Sequence, residues 1–165
     1  MFELKPISKH GIPGALEKVQ RYRLLNEPIE AESICRDILL IDSENQDALV
    51  LLILTLTDQF NKGITNQEAD TLIPRLQNEF NRMYYKGIIL ERKAKAYLAR
   101  GVMVNHSDAY EWLQEAMVYY EKAEKKSPEN NEDAVLRWNA CVRTIQRYKL
   151  TPRPPESRHM EWALE

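Results

Sequence analysis

Hydrophobic residues recur along this chain at three- and four-residue spacing, the pattern of helices that each bury one face, and glycines and prolines cut that pattern into helix-sized pieces. Pro13 and Gly14 precede a first stripe, Leu16, Val19, Tyr22 and Leu25, which predicts a helix running to about Asn26. Pro28 opens a second, where a missing amide donor costs nothing, and Ala31, Ile34, Cys35, Ile38 and Ile41 form its apolar face. Asn45 is placed to cap a third helix over about 46–60, apolar on more than one face. Asn61, Lys62 and Gly63 end it, and Thr65 or Asn66 caps a fourth over about 67–81, carrying Leu72, Ile73, Leu76 and Phe80. Pro74 conflicts with an unbroken fourth helix and calls for a kink there or a start nearer Thr71. A fifth and longer helix over about 82–100 is closed by Gly101, a residue suited to the left-handed position after a helix end. A sixth follows residues 105–108 and stops before Ser127 and Pro128. A seventh, over about 132–148, includes Trp138, Cys141, Val142 and Ile145. Residues 151–155 hold three prolines and predict an extended spacer, followed by a short amphipathic end with Met160, Trp162 and Leu164. No stretch predicts a strand.

Helix pairs too thin to bury their faces alone imply stacking, and the chain carries an internal repeat. Ala31, Cys35 and Ile38, followed by Asp42 and Ser43, resemble the second helix of a tetratricopeptide repeat at its small, aromatic and small positions. Ala116, Tyr120, Ala123 and Pro128 fit the same spacing better. Leu49, Leu52 and Leu56 fall one period of about 34 residues after Ala15, Lys18 and Tyr22, and Met83, Gly87 and Leu90 occupy the large, small and large positions of a third first-helix. Gly87 would let neighbouring helices approach closely. Ile53 departs from the pattern by replacing a small residue, and the last two pairs exceed one period. The chain also resembles a bacterial group of three-repeat tetratricopeptide proteins through the stretch 136–141, a group without a settled activity.

The resemblance implies an all-α, right-handed superhelical stack of antiparallel helix pairs, with a leader over 1–11, a repeat domain with a capping helix over 12–148, and a Pro-rich tail over 149–165. It also implies that the first helix of each pair lines a concave, partner-binding surface. The matching positions are Asp47, Val50, Leu51, Leu54, Thr57 and Asp58 in the second pair. In the third they are Asn81, Tyr84, Tyr85, Ile88, Glu91 and Arg92. Such a groove is apolar and aromatic with a charged border, which is what a peptide hot spot requires, although Val50, Leu51 and Leu54 equally suit contact with a neighbouring helix. Some tetratricopeptide proteins grip a C-terminal Asp carboxylate with Lys, Asn and Arg. Val50, Leu51 and Leu54 stand where those groups would be, so that adaptor role is disfavoured.

Composition narrows the chemistry. A net charge of -2 and a pI near 6.0 give no global attraction to nucleic acid. Arg82, Lys86, Arg92, Lys93, Lys95 and Arg100 nonetheless concentrate on the fifth helix, while the sixth is rich in acids. Pairing of the two helices would compensate these charges. The alternative is a basic strip for acidic peptide or RNA, with Tyr84, Tyr85 and Tyr97 stacking on bases rather than filling the core.

His10, His106 and His159 have no Cys, Asp or Glu beside them at metal-ligand spacing, so no metal or cofactor is expected. No phosphate loop or nucleophile motif occurs, and no catalytic residue is nominated. Cys35 and Cys141 fall within apolar helical patterns and read as buried thiols. Residues 1–13 lack the apolar region of a signal peptide and the longest apolar run, 48–54, is far short of a membrane span, so the cytoplasm is expected. The tail residues Met160, Trp162 and Leu164 would dock in the groove of their own chain or, by exchange, in that of a second copy, giving a homodimer; a frayed terminus is the alternative. The sequence thus predicts a non-catalytic interaction module or scaffold for an unidentified protein or peptide.

Overall fold

The computed structural model describes residues 1–101 and 105–155, and all regular structure among them is helical. Seven α-helices follow one another: α1 (Ile12–Leu24), α2 (Pro28–Ile41), α3 (Gln46–Thr57), α4 (Gln67–Leu72), α5 (Glu79–Leu98), α6 (His106–Glu124) and α7 (Asp133–Tyr148). Their ends obey local chemistry. The side-chain oxygen of Asn45 accepts a hydrogen bond from the Ala48 amide at 3.0 Å and starts α3, while Asn105 does the same for the Ser107 amide at α6. Gly101 turns left-handed after α5, with φ of 91°.

The expected fourth helix is shorter than its apolar pattern suggested. It ends at Leu72, a 3-10 turn over Ile73–Arg75 takes in Pro74, and Leu76 is extended. Proline has no amide to donate, so the chain breaks beside it instead of kinking. Asn78 then caps α5 by accepting from the Asn81 amide, and α5 begins at Glu79, earlier than the expected residue 82. The arginine at 82 braces the break, donating through Nη1 to the carbonyls of Leu76 and Gln77 at 2.7 and 3.0 Å.

Each long helix packs against the next in sequence, and α1, α3 and α5 also touch in succession. The apolar residues form two cores. One joins Val19, Ala31, Cys35, Ile38, Leu49, Ile53 and Leu56 of α1 to α3 with Ala69 and Leu72 of α4. The other joins α5, α6 and α7 through Leu113, Ala116, Tyr120, Ala123 and Cys141. Helix α5 serves both, giving Ile89 and Ala96 to the first and Ile88, Leu90, Ala94 and Leu98 to the second. A helix with two apolar sides must be wrapped, and at twenty residues α5 is about 30 Å long, enough to divide the molecule. The apolar character of α3 on several faces has the same cause, since α1, α2, α4 and α5 all pack on it. Its two buried threonines lose no hydrogen bonding, because each hydroxyl donates to a carbonyl one turn back. On α1, by contrast, Leu25 lies beyond the helix end and is exposed, so the expected stripe stops at Tyr22.

Antiparallel α5 and α6 pack tightly at Gly87, which lies against the ring of Tyr120. The same pairing joins the α5 end to the α6 start, where Tyr97 meets Asp108 and packs edge-on against Trp112 with centroids 5.1 Å apart. It also joins Glu79 to Lys126 at the opposite ends.

Both cysteines are free and buried. Burial pushes each thiol from an ordinary value of 9.0 up to about 12, with Glu91 adding to the effect at Cys141. In the native protein neither thiol is expected to react with a thiol-exchange reagent within minutes at neutral pH, and both should react at once in guanidinium. Rapid modification of the native chain would contradict the packing. Because the unfolded thiols ionise first, their contribution to stability should be intact below pH 9 and decline between about 9 and 12, which pH-dependent urea titration would register.

Candidate functional site

The face shared by α1, α3 and α5 is hollow. A concavity of about 910 Å³ opens there, with Leu16, Gln20 and Arg23 on the α1 side, Asp47, Val50, Leu51, Leu54 and Asp58 along α3, and Tyr85, Arg92 and Lys95 on the α5 side. The α3 positions recur at three and four residues, so one helical face runs the length of the hollow. Val50 and Leu54 are half-buried and present apolar surface at its middle. Leu51 reaches the hollow with only 7% of its surface exposed and belongs chiefly to the core.

Four expected groove residues, Asn81, Tyr84, Ile88 and Glu91, do not line the hollow. Ile88, 1% exposed, is buried in the α5, α6 and α7 core, because its position on α5 points toward α6. Tyr84 is part of an interior aromatic group, stacked on Phe80 at 5.3 Å, edge-on to Tyr85 at 5.2 Å and tilted against Tyr120 at 5.9 Å. Asp47, Val50, Leu51, Leu54, Asp58, Tyr85 and Arg92 do come together in the hollow.

The two ends of the groove differ in charge. Asp47 stands exposed at one end. Eleven residues further along α3, about 16 Å at the helical rise, Asp58 receives a fork from Arg23, Nε to Oδ2 at 2.7 Å and Nη2 to Oδ1 at 3.3 Å. Arg92 also donates to Asp58 Oδ1, and to Thr57 Oγ1 at 2.6 Å and the Leu54 carbonyl at 3.2 Å. Burial holds Arg92 below the usual guanidinium range against the pull of Asp58, and the charges of Arg23 and Arg137 push in the same direction as burial.

Beneath this end lies Glu91, with none of its surface exposed. Lys95 and Arg137 both donate to its Oε1, the latter at 3.4 Å, and the Tyr120 hydroxyl donates to Oε2 at 2.6 Å. Glu91 is therefore a buried clasp between α5, α6 and α7 rather than a surface group, as its groove assignment had implied. Burial and the neighbouring carboxylate hold the Tyr120 phenol far above its ordinary range, keeping it protonated as the donor.

Five of the basic residues of α5 already have partners within the chain. Lys86 pairs with Asp70 of α4 at 2.7 Å, Lys93 lies over the Trp112 ring at 4.2 Å, and Arg82, Arg92 and Lys95 are engaged as described. Their compensation comes mainly from α3, α4 and α5 itself, not from the acidic α6. Tyr97 likewise packs against α6. His10 and His106 are exposed, and no metal-holding group of His, Cys, Asp and Glu occurs among the described residues.

His159 and the tail residues Met160, Trp162 and Leu164 lie outside the described residues. The spacer before them is anchored: Leu150 is buried in the second core, and Arg153 pairs with Asp108 of α6 at 2.7 Å. Arg23 and Lys95 line the hollow although the spacing of residues along the chain does not point to them. Arg23 meets Asp58 across 35 positions, and no local spacing signals such a pairing.

Comparison with protein-family models, with curated proteins and with solved structures gives no match for this chain. Fold and site together define an all-α protein with a polarised groove on one helical face. No helix among its described residues is long and apolar enough to cross a membrane.

Proposed function

We propose that this chain is a non-catalytic interaction module of the tetratricopeptide type, which holds a peptide or a segment of a partner protein in the α1–α3–α5 groove. The observation that carries this reading is the half-buried apolar pair Val50 and Leu54 in an open hollow of about 910 Å³, bordered by Tyr85 and by charged side chains. Apolar anchors ringed by polar groups concentrate desolvation at a few contacts, which is how peptide grooves bind. Successive contact of α1, α3 and α5, each the first helix of a pair, supports a superhelical stack whose inner face is this groove. Specificity then comes from shape and border charge.

Val50→Glu tests the role, because it places a charge on the anchor surface at a residue that is half-buried at the edge of the first core and not one of its fully buried members. Leu51→Glu is unsuitable, since its side chain fills the first core. Peptides selected from a displayed random library on the native protein should bind Val50→Glu at least tenfold more weakly, about 1.4 kcal/mol, with an unchanged circular dichroism spectrum. Failure to select any peptide, or equal binding to the variant, would remove the groove as the binding surface. The tail-exchange dimer is a separate proposal: deletion of residues 151–165 should lower the molecular mass measured by light scattering, and an unchanged mass rejects it.

A further inference from the structure

We infer that the Asp58 end of the groove recognises a side-chain carboxylate, so that the bound segment is an acidic peptide with an adjoining apolar residue. The inference rests on the groove being a peptide site and specifies what it selects. At this end Arg23, Arg92 and Lys95 line the hollow, Arg137 lies beneath them, and the four cations share two carboxylates, Asp58 and Glu91. Each carboxylate is shared by two cations, and the cluster carries two positive charges more than it neutralises internally.

The acceptors are already engaged. Both oxygens of Asp58 receive guanidinium donors, and both oxygens of Glu91 are occupied by Lys95, Arg137 and Tyr120. The donors retain capacity, since an ammonium has three N–H groups and a guanidinium five. Lys95 is the most accessible of the groove cations, with 40% of its side chain exposed. The crowding of like charges on Arg92 has the same sense, because an arriving carboxylate would relieve it. Asp47 at the far end opposes a second acid there, so charge complementarity fixes where along the groove the carboxylate sits. Val50 and Leu54 lie between the two ends and would take the neighbouring apolar side chain.

The test uses random peptides displayed as internal segments, which carry no free C-terminal carboxylate, selected on the full chain. Asp or Glu should be recovered well above library frequency. In a selected peptide, Glu→Gln or Asp→Asn should weaken binding at least tenfold at about 0.1 M salt, and the gap should narrow toward 1 M as screening shortens. Lys95→Ala should reproduce the loss, because Glu91 keeps Arg137 and Tyr120; if that variant does not fold, Arg23→Gln supplies the same comparison. Selected peptides lacking acids that bind Lys95→Ala as well as the native chain, yet lose Val50→Glu, would overturn the carboxylate inference and leave the groove role standing. Recovery of no peptide, or of peptides indifferent to Val50→Glu, would overturn both.

Discussion

Glu91→Ala is expected to destabilise the fold by about 3–5 kcal/mol, the range for removing one partner of a buried ionic group. The substitution takes the acceptor from a Tyr120 hydroxyl that is itself buried, and it takes the shared carboxylate from Arg137 and Lys95. A carboxylate-sized void is left between three helices as well. Glu91→Gln should cost less, because an amide oxygen still accepts from Tyr120 while the charge pairing is lost. A double-mutant cycle with Tyr120→Phe gives the decisive measurement by urea unfolding. The pair should fall short of the summed single costs by about 1–3 kcal/mol, since an unsatisfied hydroxyl is penalised only when its acceptor has gone. A Glu91→Ala cost below about 1 kcal/mol would mean that the clasp contributes little.

Gly87→Val should cost about 3 kcal/mol, toward the upper end for overpacking a core. Even the first added carbon would stand 2.5 Å from Cε1 of Tyr120 and under 3.0 Å from Cδ1 and Cζ. The ring has nowhere to swing, being 1% exposed, tilted against Tyr84 and tied through its hydroxyl to Glu91. Gly87→Ala poses two effects against each other: alanine favours helix by about 1 kcal/mol over glycine, while the clash costs more. The sign is therefore informative. Thermal unfolding should find Gly87→Ala destabilising in the native background and stabilising once Tyr120→Leu has removed the ring. Destabilisation in both backgrounds would show that the ring contact is not the cause.

These two residues also mark how far local pattern reaches. Gly87 was legible as a site of close helix approach from its place between Met83 and Leu90, because helical packing is periodic and a missing side chain interrupts the period. Glu91 was legible only as a charged residue on the groove side of the same helix. Its burial depends on Tyr120 and Arg137, which lie 29 and 46 positions away. The boundary between α4 and α5 shows the complementary limit. Leu72, Ile73, Leu76 and Phe80 keep an apolar rhythm across the break, but that rhythm records burial and not backbone hydrogen bonding, which Pro74 and the Asn78 cap control.

From the residues alone came the all-helical class, the bounds of α2 and of the last two helices to within a few residues, and the cap at Asn45, whereas the Asn105 cap, which starts α6 at residue 106, came from the structure. The features legible in the residues are each set by contacts within a few positions or by the period of one helix. Tertiary structure decided which face of α5 is interior, why Ile88 and Tyr84 leave the groove while Arg23 and Lys95 enter it, and where charge accumulates. Ion pairing acts across space between side chains that the chain separates by dozens of residues, so it has no period for a sequence to display.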